Sequence, residues 1–143
     1  MPVNGYTVGR DITISVQTPS GPLQLNGVVK FTKKRDVTSK KVKKINGLTD
    51  TLVFPDGWSG VIDIERQDST VDSYFAVLEA GYYSGQNSLT GSITETITET
   101  SGAVSQFQYT AVVLNLTNAG DAMADETVKM NIDWTAQQRV QVQ

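Results

Sequence analysis

Apolar and polar side chains alternate strictly from residue 11 to residue 18. Ile12, Ile14 and Val16 fall on one side of an extended chain, and Thr13, Ser15 and Gln17 on the other. That period of two is the signature of a half-buried strand. Pro19, Ser20, Gly21 and Pro22 break it. Asn26-Gly27, flanked by Leu23, Leu25, Val28 and Val29, suits a type I′ hairpin turn, because both residues tolerate positive φ. A strand beginning near Val28 loses its alternation after Phe31. Residues 36–57 then read as a long excursion, with Asn46-Gly47 and Pro55-Asp56-Gly57 as its turn signals. Alternation returns over residues 58–66, with Trp58, Ile62 and Ile64 inward and Asp63 and Glu65 outward.

One segment has a different period. Val71, Tyr74, Phe75, Leu78 and Tyr82 are spaced as one stripe of an α-helix over residues 69–82. Ser69 is placed to cap it, Asp72 to complete a capping box, and Gly81 or Gly85 to end it. Beyond the helix the period is two again. Thr90, Ser92, Thr94, Thr96 and Thr98 form a hydroxyl face opposite Ile93, Glu95, Ile97 and Glu99. Ser101-Gly102 turns this strand into residues 103–116, where Phe107, Tyr109, Ala111 and Val113 oppose Gln106, Gln108, Thr110 and Val112. A turn at residues 118–121 leads to the last strand, residues 126–136, with Val128, Met130, Ile132 and Trp134 inward and Lys129, Asn131 and Asp133 outward. Strands far outnumber helices. The expected class is mainly β (α+β): a β-sandwich or partly closed barrel with one flanking helix. Residues 1–143 read as one domain, with a basic hairpin or loop excursion at about 30–57.

Composition changes this picture in one place. Residues 30–44 hold eight of the twelve lysines and arginines, opposed only by Asp36. The rest of the chain has four basic residues against fourteen acidic ones, so a patch of +7 sits on a body of −10. The longest clean apolar run, residues 111–114, is far below the roughly 20 residues of a membrane span. Residues 1–6 have neither a charged nor an apolar signal-peptide region, so no secretory signal and no membrane association is expected.

The chain has no cysteine and no histidine, which removes thiolate chemistry, the commonest general base and the commonest metal ligand. Asp63 with Glu65, and Glu95 with Glu99, share strand faces. A glycosidic acid/base pair needs carboxyls facing each other across a substrate, so these are read as solvated charges. Asp121, Asp125 and Glu126 lack the spacing and central glycine of a calcium loop. No phosphate loop, dinucleotide fingerprint or nucleophile elbow is present. No catalytic, cofactor-binding or metal-binding residue is assigned, no cofactor is implied, and the chain reads as a non-enzyme.

The basic cluster has three readings. As a nucleic-acid grip it lacks aromatic interleaving, and the acidic body would repel a polyanion. Lysines also protect exposed strand edges. The third reading is self-assembly, in which complementary patches on different surfaces join copies head to tail into rings or filaments. The separation of charge favours the last.

In order and spacing the chain resembles the tail tube proteins of contractile-tailed bacteriophages, relatives of pyocin tubes and of the type VI secretion tube. The resemblance rests on the early strand and turn (residues 11–27), the lysine-rich strand and excursion (30–47), and the pattern Trp58-x-Gly60-x-Ile62-x-Ile64. The single helix at 69–82, the acidic turn at 120–126 and the alternation Val128-x-Met130-x-Ile132-x-Trp134 complete it. It implies a phage tail-tube-type fold and six-membered rings stacked into a hollow tube, with DNA passing through the lumen without specific binding. It further implies tail sheath and baseplate proteins as partners, and a virion location after synthesis in the host bacterial cytoplasm. A baseplate or tail-terminator ring, or a type VI secretion-like tube, would share these features. By the same resemblance Lys33, Lys34, Arg35, Lys40, Lys41, Lys43 and Lys44 are expected at subunit interfaces. The hydroxyl face of Thr90, Ser92, Thr94, Thr96 and Thr98 suits a wet barrel wall facing the lumen.

Overall fold

One antiparallel sheet, curled on itself, carries most of the chain in the computed structural model, which describes residues 4–19, 21–25, 27–86 and 90–143. Its strands are β1 (Ile12–Thr18), β2 (Gly21–Leu23), β3 (Val28–Lys43), β4 (Thr49–Glu65), β5 (Gly91–Thr98), β6 (Val104–Asn118), β7 (Lys129–Ala136) and β8 (Gln138–Gln141). The helix α1 (Thr70–Tyr83) links β4 to β5. Strand order is β2-β1-β5-β6-β7-β4-β3, and β8 pairs with β6.

Strand β6 belongs to both halves of the sheet. On one edge it pairs with β5, and on the other first with β8 and then with β7. The change of partner is marked by Gln137, whose N–H donates to the Thr110 carbonyl at 2.9 Å. Across β5, Ile93 faces Tyr109 and Gly91 faces Val112, so Thr110 and Ala111 together stand opposite Ser92. This is a β-bulge, and Ala111 takes φ 52° within it. One inserted residue moves every later side chain to the other face. Tyr109 therefore points inward, but so do Val112, Leu114 and Leu116, while Val113 is exposed. The expected inward row through Ala111 and Val113 is corrected by that insertion.

The inner face carries Val16, Ile62, Ile64, Ile93, Tyr109, Met130, Ile132 and Trp134, all buried. Each contributes on the order of 1.5–3 kcal/mol by leaving water. Phe31 stacks on Trp134 with ring centroids 5.6 Å apart and planes 8° apart, and Tyr109 meets Trp134 edge-on at 4.8 Å. Gly60 stands opposite Trp134. A Cβ there would lie 1.8 Å from the Thr32 carbonyl oxygen and 2.9 Å from the indole, so only glycine lets β3, β4 and this ring approach.

Helix α1 docks by its first half. Val71 is buried, Tyr74 and Phe75 pack on the core, and Tyr74 and Leu78 line a small gap with Val16, Val112 and Leu114. Tyr82, expected on the buried stripe, is exposed together with Val77 and Tyr83. Ser69 occupies the N-cap position without a side-chain bond, and the Thr70 N–H donates instead to Asp68 at 3.1 Å. Asp72 accepts from Arg66 at 2.8 Å, so no capping box forms. The helix ends at Gly85 (φ 89°), with Gln86 N–H on Gly81 O and Gly85 N–H on Tyr82 O, the paired bonds of a Schellman motif.

Three turn expectations change. Gly27 has φ 78°, but Asn26 lies outside the described residues, and β2 and β3 stand at opposite ends of the sheet and make no hairpin. The hairpin joins β1 to β2 instead, with Thr18 opposite Gly21. The excursion at 36–57 is mostly strand, because β3 and β4 continue to the tight turn containing Asn46-Gly47. Pro55, Asp56 and Gly57 lie within β4. Arg35 faces Trp58 and Val37 faces Pro55, so Asp56 and Gly57 form a bulge opposite Asp36.

Candidate assembly surfaces

The inward alternation of β5 places Glu95 between Ile93 and Ile97, where it is fully buried. Its carboxylate receives the Lys33 ammonium from β3 and, at 3.5 Å each, the Arg139 guanidinium from β8 and the Tyr109 hydroxyl. The guanidinium lies 3.7 Å from the Phe107 ring centroid and 4.9 Å from that of Trp58, positions that favour a cation over an aromatic face. Burial and the neighbouring Glu95 charge push the Tyr109 hydroxyl up to about 12. Glu95 is thus not the solvated strand-face carboxylate expected beside Glu99. Lys33, expected among the interface lysines, is drawn inward to it. Sequence reasoning missed Arg139 and Tyr109 as its partners. The available signal was a carboxylate in the apolar register of a strand, which demands a buried cation from elsewhere.

Beside this cluster the sheet does not close. A cleft of about 710 Å³ separates β1 from β3, lined by Ile12, Ile14, Val28 and Phe31 with Lys33 and Glu95.

Beyond the bulge at Asp36, β3 and β4 leave the body as a bare two-stranded arm. Every residue from 37 to 56 is exposed. The paired arm runs from Val37–Pro55 to Lys43–Thr49, roughly 20 Å of strand. Register puts Phe54, Leu52 and Val42 with Lys40 on one face, and Val37, Pro55 and Val53 with Lys41 and Lys43 on the other. Lys44 pairs with Asp50 at 2.9 Å, and Lys34 approaches Asp36 at 3.9 Å at the arm's base, beside Arg35. A lone two-stranded ribbon with apolar side chains on both faces is marginal in water, and such a surface marks an interaction site. Of the acidic groups, Asp121, Asp125 and Glu126 lie exposed on the loop between β6 and β7.

The outer faces of the two half sheets differ in kind. On the β3-β4-β7 half, register sets Lys30 opposite Asp63, Glu65 opposite Lys129 and Asp133 opposite Val61, an ordinary solvated face of mixed charge. On the β1-β5-β6-β8 half, Ser15 faces Thr94, Thr94 faces Gln108, and Gln108 faces Val140, with Thr13, Thr96 and Gln106 in the next row. Ser92 and Thr98 lie on this face, and Thr90 stands exposed just before β5. The charged side chains of these four strands, Glu95 and Arg139, both point the other way. Following the antiparallel pairings, β1 and β8 run in opposite directions. Among the described residues the outer edge of β8 and that of residues 12–15 in β1 are unpaired.

No family model matches the chain, and no curated protein matches it by sequence. Solved structures do. A chain of the PVC extracellular contractile injection system, from its extended sheath–tube complex, is similar with a TM-score of 0.58 at 12% identity, over 90% of this chain and 86% of that one. A chain from the tube-terminating cap of the anti-feeding prophage gives 0.62 at 10% identity, over 98% and 93%. One from the virion of a native gene transfer agent gives 0.56 at 10%, over 95% and 98%. At such identities the likeness is one of fold, and it spans nearly the whole of every chain. The fold is the expected tail-tube type: mainly antiparallel sheet, curled but not closed, with one helix.

Proposed function

We propose that this chain is a structural subunit of a contractile-tail tube, its copies closing into rings, six-membered by resemblance, that stack around a hollow lumen. The observation that carries the reading is the β1-β5-β6-β8 half sheet. Its two free edges run in opposite directions, so β8 of one copy can continue antiparallel onto β1 of the next, as closing a barrel between copies requires. The uncharged outer face then lines the lumen, and Ser92, Thr94, Thr96 and Thr98 project into it, with Thr90 at the rim. The lysine-bearing arm, through Lys40, Lys41, Lys43 and Lys44, reaches acidic and apolar surface on the adjacent ring, with Lys34 and Arg35 at its root. The role is structural and not enzymatic. Sheath and baseplate proteins are the partners, the virion tail is the location, and DNA passes without being bound.

A second reading has specific support, because a chain of the anti-feeding prophage baseplate shares the fold at TM-score 0.58 over 98% of this chain. In that reading the protein forms a single cap, terminator or baseplate ring. Electron microscopy of the purified protein at micromolar concentration decides between them. Long tubes support the first and isolated rings the second. Folded protein that stays monomeric at high concentration overturns both.

A further inference from the structure

The neutrality of the β1-β5-β6-β8 face goes further, and the argument rests on the lumen placement just proposed. Fourteen outward positions, on β1 (Thr13, Ser15, Gln17), β5 (92, 94, 96, 98), β6 (104, 106, 108, 110) and the β8 segment (138, 140, 142), carry only hydroxyl, amide and valine side chains. The opposite half sheet carries both signs of charge on its outer face, so neutrality is not a general property of this chain's surface. A lumen wall of one sign would focus counter-ions, repel co-ions, and hold or retard a charged polymer in a salt-dependent way. Hydroxyls and amides exchange hydrogen bonds with water or with a passing phosphate at little net gain. We infer that the lumen is a charge-indifferent conduit, which selects what passes by width and offers a polyanion neither capture nor repulsion.

The chain has no cysteine, so one introduced thiol reports the wall alone. Thr94→Cys tubes would be reacted with a cationic trimethylammonium methanethiosulfonate and with its anionic sulfonate counterpart. Each rate constant is divided by that of the same thiol in dissociated subunits. The expected ratio of the two lies within about twofold of unity and does not move between low and physiological salt. Tubes that also carry Thr13→Glu should favour the cationic reagent about tenfold at low salt, which shows that a ring of charge is felt. A preference of about fivefold or more for either reagent in the Thr94→Cys tubes overturns charge indifference while leaving the lumen placement standing. A bulky polyethylene-glycol maleimide that modifies tubes as fast as subunits overturns the placement itself, and the inference with it. Ser92→Cys serves as a second reporter if Thr94→Cys fails to assemble.

Discussion

The ammonium of Lys33, on edge strand β3, lies on the fully buried carboxylate of Glu95, on β5, although three strands separate them in the sheet order. The pair spans the curl of the sheet and fixes the root of the arm against the half sheet proposed to line the lumen. Breaking a buried pair by removing one partner leaves a charge in a low-dielectric interior, whereas replacing both ions does not.

Lys33→Met should therefore destabilise the subunit by about 3 kcal/mol, with Arg139 moderating the loss. Glu95→Gln alone should cost at least as much, because it leaves both Lys33 and Arg139 without their counter-ion, and the double variant should lose less than the two single losses added together. Lys40→Met, on the bare arm, should stay within about 0.5 kcal/mol of wild type. Urea unfolding of the two single and one double variant measures the coupling. Additive losses would show that the two side chains do not depend on each other.

Reversing Lys40, Lys41, Lys43 and Lys44 together to Glu should abolish tube formation while the circular dichroism of the subunit is kept. Any one exposed pair contributes only about 0.2–1 kcal/mol, so single reversals should do little. Salt should weaken wild-type stacking only in part, because the apolar residues of the arm are not screened. Electron microscopy and a DNA-binding assay on the same proteins separate the two roles of the lysines. Normal tubes from the quadruple variant, with loss of a steeply salt-dependent DNA affinity, would assign the cluster to nucleic acid instead.

Gly60→Ala should cost about 3 kcal/mol or more, because its Cβ would fall 1.8 Å from the Thr32 carbonyl oxygen and against the Trp134 ring. The near-ultraviolet circular dichroism of the tryptophans should weaken. Gly9→Ala, where a Cβ meets nothing within 4 Å and φ is not positive, is the control and should be close to neutral.

Alkaline stability should report on Tyr109. Its folded value is raised to about 12 by burial first and by the Glu95 charge second, so between the ordinary tyrosine range and that value the folded state holds a proton that the unfolded chain has lost. Stability should then be fully present below about 10 and fall as pH rises toward 12. Tyr109→Phe should lower stability at neutral pH but flatten that decline. A wild-type melting temperature with the same slope above pH 10 as the variant's would contradict this.

The period-two rows around Ile12, Ile62, Ile93 and Ile132, the helix stripe at Val71, and the glycine stop were legible in the sequence, because each depends on neighbours one to four residues away. So was the charge separation, which is a sum over residues. What the tertiary structure decided depends on partners far along the chain. The inward turn of Val112 required a bulge opposite Ser92. The pairing of β3 with β4 instead of β2 required the long ribbon to be more favourable than a short hairpin at Gly27. The burial of Glu95 required Lys33 and Arg139 to arrive from opposite ends of the chain, since a carboxylate leaves water only where cations already wait for it. Local alternation specifies which side chains share a face, and only the closing of the sheet on itself decides which faces lose water.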